Sequence, residues 1–170
     1  MREPNGRAKR GSAADRAEDM RAVALEARAR VFALAKETAA AMPETSVLGR
    51  LRATGEISAR QYEAGALYRE VVRAYDRMMM ARGLPKAGDL ERRPSFDGSD
   101  GADPDYRRAF DRAVRAFDEC ASALRTAARE DRLAPATVNA VAISDLSVPQ
   151  FTPALRVGLN HLARALKVRG

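Results

Sequence analysis

Histidine and cysteine are scarce in this chain, and its plentiful carboxylates mostly lie beside arginines at helical spacing, so that no pair stands out as a catalytic acid and base. His161 is the only histidine and Cys120 the only cysteine among 170 residues. His161 has no Cys, Asp or Glu at the spacing of a zinc or di-iron site, and the sequence contains no nucleophile elbow, P-loop or GxGxxG motif. Cys120 falls on the apolar face of a predicted helix, where a thiol is usually a small buried hydrophobe. We therefore expect no enzymatic activity, no cofactor and no metal site.

Arginine is the residue type whose pattern points to a function. The formal net charge is +7 and the pI is near 10.2, a balance that favours polyanionic partners such as nucleic acid. Arginines greatly outnumber lysines, and an arginine-rich proteome would give the same excess without functional meaning. Both interpretations remain open from composition alone.

Residues 47–68 place arginines in an arrangement that resembles a helix-turn-helix. A short helix with Arg50 and Arg52 is followed by a glycine-containing turn and by a helix that begins near Arg60. Helix-turn-helix proteins place the first residues of the second helix in the major groove, and arginine suits guanine edges and phosphates. The turn is longer than the usual three or four residues, so an αα corner that only packs into the core is the alternative. With the basic end of the last helix, the candidate nucleic-acid contacts are Arg50, Arg52, Arg60, Arg164, Lys167 and Arg169.

Helix signals account for most of the chain. Residues 13–42 contain no Gly or Pro, and Pro43 follows them, so they predict one long helix with an apolar stripe that includes Met20, Val23 and Val31. Ser58 and Gln61 form a capping box, which predicts a helix start at position 59. In that helix we expect Gly65 to allow another helix to approach closely.

Proline and glycine mark the remaining boundaries. Asp103 followed by Pro104 predicts the start of a third major helix, and Pro135 could open a fourth through about Leu146. Thr152 as N-cap with Pro153 at the first helical position predicts the last helix. We interpret the chain as a disordered basic arm (1–12), a long helix (13–42), the corner with its long helix (45–82), a flexible acidic linker (83–102), and C-terminal helices (103–168) that pack on 45–82 as one domain. The predicted fold is all-α, a bundle of about five helices.

Two stretches resemble a known group of sequences. Leu48-Gly-Arg-Leu51, Gly55-Glu-Ile-Ser58, Gln61 and Ala64-Gly65 resemble a segment of small alphaproteobacterial phage and prophage proteins, and of the C-terminal domain family in the transcription activator of gene transfer agents. The closing Leu155-Arg-Val-Gly-Leu159-Asn-His-Leu162-Ala is similar to the ending of the same pattern. The chain departs from it at Arg164-Ala165, where His-Tyr often follows. The resemblance implies a helical module for phage-type transcription control that contacts DNA or RNA polymerase.

These observations lead to a non-enzymatic, nucleic-acid-associated regulatory protein of the phage type as the first hypothesis. DNA is the expected partner, and RNA polymerase is a further one. The alternatives are a phage DNA-packaging or assembly protein, such as a small terminase subunit that forms an oligomer through the N-terminal helix, and a helical protein–protein adaptor. No signal peptide or membrane-spanning segment is evident, so we expect a cytoplasmic protein without membrane contact.

Overall fold

The computed structural model describes residues 13–80 and 104–169, with side chains described from residue 17. Every regular element in these two ranges is helical, which confirms the predicted all-α class. The helices are α1 (Ala13–Phe32), α2 (Lys36–Ala40), α3 (Val47–Ala53), α4 (Ala59–Met80), α5 (Pro104–Glu130), α6 (Ala134–Val138) and α7 (Thr152–Ala165). A π-helical turn (Asn139–Ile143) follows α6, and a 3-10 turn (Pro149–Phe151) precedes α7. The predicted arm at 1–12 and linker at 83–102 lie outside the described residues.

Helix α7 lies at the centre of the core. Leu155, Leu159 and Leu162 on its inner face are almost wholly buried, and the helix packs against α4, α5 and α6. Burial of a leucine side chain contributes about 1.5–3 kcal/mol, so this inner face is a main source of stability. The outer face of α7 is therefore held in a fixed position by the core beneath it.

A glycine on α4 permits the close packing of α3, α4 and α7. A Cβ added at Gly65 would lie 2.8 Å from Cδ2 of Leu48 and 3.2 Å from Cδ2 of Leu159. Both distances are shorter than ordinary carbon contacts, so an added Cβ would require the terminal methyl groups of Leu48 and Leu159 to shift. The close approach expected at this position from the sequence is present in the structure.

The helix predicted over residues 13–42 ends earlier. α1 stops at Phe32, and the chain turns at Ala33, which has a φ of 50°. Phe32 packs against the core, whereas residues 17–24 are exposed on every side. The turn lets α1 leave the body while Ala39, in α2, is buried. A left-handed alanine costs about 1–2 kcal/mol, and the packing on either side of the turn offsets this cost.

Two further boundaries differ from the sequence-based expectation. The segment after Pro135 ends in a π-helical turn at Ile143, and Asp145 at a φ of 54° redirects the chain, so Leu146, the expected end of the fourth helix, is outside it and exposed. Thr152 is the first residue of α7 rather than its cap, because a 3-10 turn already leads into the helix. The Thr152 hydroxyl donates to the carbonyl of Pro149 at 2.9 Å.

Candidate nucleic-acid interface

The corner between α3 and α4 is built by local hydrogen bonds that the sequence predicts. The backbone N–H of Ser58 donates to Oε1 of Gln61 at 2.8 Å, and the backbone N–H of Gln61 donates to Oγ of Ser58 at 3.2 Å. This is the reciprocal capping box, and α4 begins at the predicted residue. Gly55, with a φ of 75°, supplies the left-handed turn between the two helices. The corner therefore holds the first turn of α4 in a defined place.

The three arginines of the corner differ in how far they are available to a ligand. Arg50 is largely buried: its guanidinium lies 3.6 Å from a carboxylate oxygen of Glu56 and donates to Oγ of Ser147 at 3.3 Å. Arg52 is half-buried at the end of α3, and Arg60 is exposed in the first turn of α4. Neither makes an ion pair with any other residue that the structure describes. Arg52 and Arg60 remain available to a ligand, and Arg50 mainly stabilises the corner.

The outer face of α7 carries a row of polar side chains, which we call the α7 ridge. Its members are Arg156, Asn160 and Arg164 on the helix, together with Lys167 just beyond the helix end, and all four are exposed. The three helical members are four residues apart and therefore lie on one side of α7. The chain contains no acidic side chain after Asp145, so no carboxylate on this segment neutralises the ridge.

The end of the ridge is fixed although α7 itself stops at Ala165. Lys167 has a φ of 53°, and its backbone N–H donates to the carbonyl of Arg164 at 3.2 Å. Val168 then returns to the core, where it is 6% exposed. Lys167 and Arg169, on either side of this buried valine, are both exposed. The backbone of this C-terminal segment therefore lies against the body, and its two basic side chains are exposed just beyond α7.

Two contacts across the chain bring the corner and the ridge together. Nε of Arg156 donates to the backbone carbonyl of Glu56 at 2.7 Å. Nε2 of Gln61 donates to Oδ1 of Asn160 at 3.0 Å. The first turn of α4 therefore lies beside the middle of α7. The corner and the C-terminal basic patch, which the sequence could only treat as separate, adjoin in the fold.

Carboxylates border this surface. Glu63 is exposed one turn after Arg60 on α4. On the opposite side of α7, His161 lies 2.8 Å from a carboxylate oxygen of Glu130 at the end of α5. Glu56 is the third carboxylate, and it faces Arg50. The surface is basic along α7 and mixed in charge at its edges.

The only thiol of the chain lies apart from this surface. Cys120 is fully buried on α5, and burial raises the pKa of its thiol to about 11. In the parts of the chain that the structure describes, no three His, Cys, Asp or Glu side chains are grouped as a metal site would require. None of the described helices is long and apolar enough to cross a membrane. The arrangement on α7 is suited to binding anions by hydrogen bonds and charge.

Two ridge residues were absent from the candidate contacts chosen from the sequence, Arg156 and Asn160. The sequence does indicate that they are exposed, because positions 156, 160 and 164 alternate with the leucines at 155, 159 and 162 in the pattern of an amphipathic helix. The contacts of Arg156 and Asn160 with the corner could not be found in this way, since their partners lie about 100 positions earlier.

No protein-family profile matches this chain, no curated protein matches it, and no solved structure matches it.

Proposed function

We propose that this chain is a non-enzymatic, nucleic-acid-associated regulatory protein that binds the phosphate backbone through the α7 ridge, with Arg60 and Arg52 beside it. The observation that carries the proposal is the junction of the corner and the ridge through Glu56–Arg156 and Gln61–Asn160. These two contacts hold the corner beside α7, which supports a basic surface shared by the two segments. The resemblance to phage-type transcription regulators supports the same class of function.

The dimensions of the ridge suit a phosphate backbone. From Arg156 to Arg164 the helix rises about 12 Å, at 1.5 Å per residue, and Lys167 follows three residues later, just beyond the end of α7. Three cations over that length can each contact a phosphate, and each such contact releases counterions from the nucleic acid. Release of counterions favours binding in a way that depends on salt and not on sequence. DNA is therefore the partner proposed first.

The exposed face of α4 favours contacts with phosphate over contacts with bases. In helix-turn-helix proteins the first turns of the second helix enter the major groove. Here Gln61, Ala64 and Gly65 in those turns are buried, and exposed Glu63 would face the negative potential of the groove. Arg60 remains able to reach a phosphate from the start of α4. We propose that the corner positions the ridge and does not itself read bases.

A fluorescence anisotropy titration with a short duplex of mixed sequence tests the proposal. The test variant replaces Arg156, Arg164 and Lys167 by Ala. A matched variant replaces Arg112, Arg115 and Arg125, exposed on α5, and removes the same charge. We expect salt-dependent binding by the wild type, and a slope of log K against log salt that falls by about 0.9 for each phosphate that the ridge variant no longer neutralises. Absence of binding, or equal effects of the two variants, would contradict the proposal.

Exposed apolar residues on α1 favour a second candidate function, assembly with another protein. Met20, Val23 and Val31 are 71%, 65% and 71% exposed. Met20 and Val31 share one helix face, with Arg21 at one edge and both Asp19 and Arg30 at the other. An exposed apolar face of this kind can pack against a helix of another protein or against a second copy of α1. It supports either an adaptor or a packaging protein that self-assembles into a ring.

The mass of the protein in solution separates these two forms of assembly. A monomer in multi-angle light scattering, with the α1 stripe free for a different partner, would support the adaptor. A ring or other higher oligomer that dissociates on replacing Val23 and Val31 by Glu would instead support the packaging or assembly function. Replacement of exposed Leu133 by Glu, far from α1 in sequence, controls for a general effect of added charge.

A further inference from the structure

The orientation of two side-chain amides on the candidate interface is determined by the backbone. The N–H of Ser58 can only donate, so the atom of Gln61 that it contacts at 2.8 Å must be the carbonyl oxygen Oε1. The other end of the Gln61 amide is therefore Nε2, which can only donate. Its partner at 3.0 Å on Asn160 must then be the acceptor Oδ1.

These successive hydrogen bonds determine which end of the Asn160 amide faces the solvent. Its oxygen is engaged by Gln61, and its Nδ2 makes no hydrogen bond with any other residue that the structure describes. Asn160 is exposed between Arg156 and Arg164 on the α7 ridge. The free amide nitrogen adds two N–H donors to those of the two guanidinium groups and the ammonium of Lys167. The ridge presents hydrogen-bond donors from one end to the other.

We propose that Asn160 is an uncharged donor to a phosphodiester group and that Gln61 is the positioning residue that keeps its N–H groups outward. This assignment rests on the proposed function. Arg156, Asn160 and Arg164 succeed one another at about 6 Å along the helix axis, a spacing comparable to that of neighbouring phosphates on one strand. A row of donors without an acceptor suits non-bridging phosphate oxygens, whereas base edges present donors and acceptors in mixed order. Binding by the ridge is therefore independent of base sequence.

The test compares an uncharged contact with a charged one in the same duplex titration. Asn160→Ala should weaken binding roughly three- to tenfold without changing the slope of log K against log salt, because no cation is removed. Arg164→Ala should lower that slope by about 0.9. Gln150→Ala, which removes an exposed amide just before α7, is the matched control and should bind like the wild type.

Gln61→Met tests the positioning role without adding charge. It should weaken binding about as much as Asn160→Ala, because the amide of Asn160 is then free to turn its oxygen outward. It also removes a capping bond, so Ser58→Ala controls for the loss of stability while leaving the Gln61–Asn160 bond in place. Ser58→Ala should lower the melting temperature and retain wild-type affinity.

The side-chain amide signal of Asn160 gives an independent readout by NMR. It is identified by its loss in Asn160→Ala, and it should shift when the duplex is added to the wild type. Wild-type affinity in both Asn160→Ala and Gln61→Met, or an unshifted Asn160 amide in a wild type that binds, overturns this assignment alone. A wild type that does not bind the duplex overturns the proposed function and this assignment with it.

Discussion

Gly158 is the position at which a single added methyl group should disturb the packing behind the α7 ridge. A Cβ at this position would lie 2.5 Å from Cγ2 of Val138 and 3.3 Å from the carbonyl oxygen of Ala134. Val138 is fully buried on α6, and a β-branched side chain on a helix has one strongly preferred rotamer. The valine cannot rotate away, so α6 and α7 must separate.

The size of the effect follows from two opposing contributions. Alanine is favoured over glycine in a helix interior by about 1 kcal/mol, and overpacking of a dense core costs about 1–3 kcal/mol. We expect Gly158→Ala to lower the free energy of unfolding by about 1 kcal/mol or somewhat more. At Gly65 the nearest atom to an added Cβ, 2.8 Å away, is a terminal methyl of Leu48, which has more freedom to adjust. Gly65→Ala should therefore be closer to neutral.

Urea unfolding followed by circular dichroism measures both changes, and a double-mutant cycle identifies their cause. Val138→Ala removes the clashing methyl, so the combined Gly158→Ala/Val138→Ala protein should be more stable than the sum of the single changes implies. A coupling of about 1 kcal/mol is expected, because the overpacking contribution is then absent. A Gly158→Ala protein more stable than the wild type, or an additive cycle, would refute the close contact between α6 and α7.

Two buried groups give predictions that depend on pH and on access. Burial raises the pKa of Tyr68 from 10.0 to about 12, so its contribution of about 2–3 kcal/mol is present below pH 10 and is lost as pH rises toward 12. Between pH 10 and 12 the free energy of unfolding should fall less steeply with pH in Tyr68→Phe than in the wild type. An equal slope in the two proteins would count against the burial of Tyr68. The pKa of Cys120 is about 11 and its side chain is fully buried. A thiol-specific chromogenic disulfide should therefore react with it only as fast as the protein unfolds. Rapid reaction under native conditions would contradict the packing of α5.

The features that the sequence predicts well are those set by neighbouring residues. The capping box of Ser58 and Gln61 locates the start of α4 because its two hydrogen bonds span only three positions. Pro104 marks the start of α5 for a similar local reason. The periodic leucines of α7 identify its buried face. In each case the information lies within one or two helical turns.

The features that the sequence did not predict depend on contacts between distant residues. Nothing in the local composition marks Ala33 as a break in the predicted helix over 13–42; the break reflects where Phe32 and Ala39 pack. Asp145 caps α3 by accepting from the N–H of Val47 at 2.7 Å, across 98 positions. The junction of the corner and the ridge is of the same kind. The sequence identifies the arginines as candidates, but only the fold shows that the corner lies beside the ridge.

The uncharged residue in the middle of the α7 ridge also has an electrostatic role. Cations at Arg156 and Arg164 are about 12 Å apart along the helix axis, farther than the Debye length of about 8 Å at physiological ionic strength. A third cation at position 160 would lie about 6 Å from both and would be repelled by each. Asn160 keeps the row of donors continuous without that repulsion. Arg164 and Lys167 lie near the C-terminus of α7, where the macrodipole favours cations. Arg156 is farther from that end, and it is stabilised by its hydrogen bond to the carbonyl of Glu56. The ridge thus gathers positive charge at low cost to the stability of the helix that supports it.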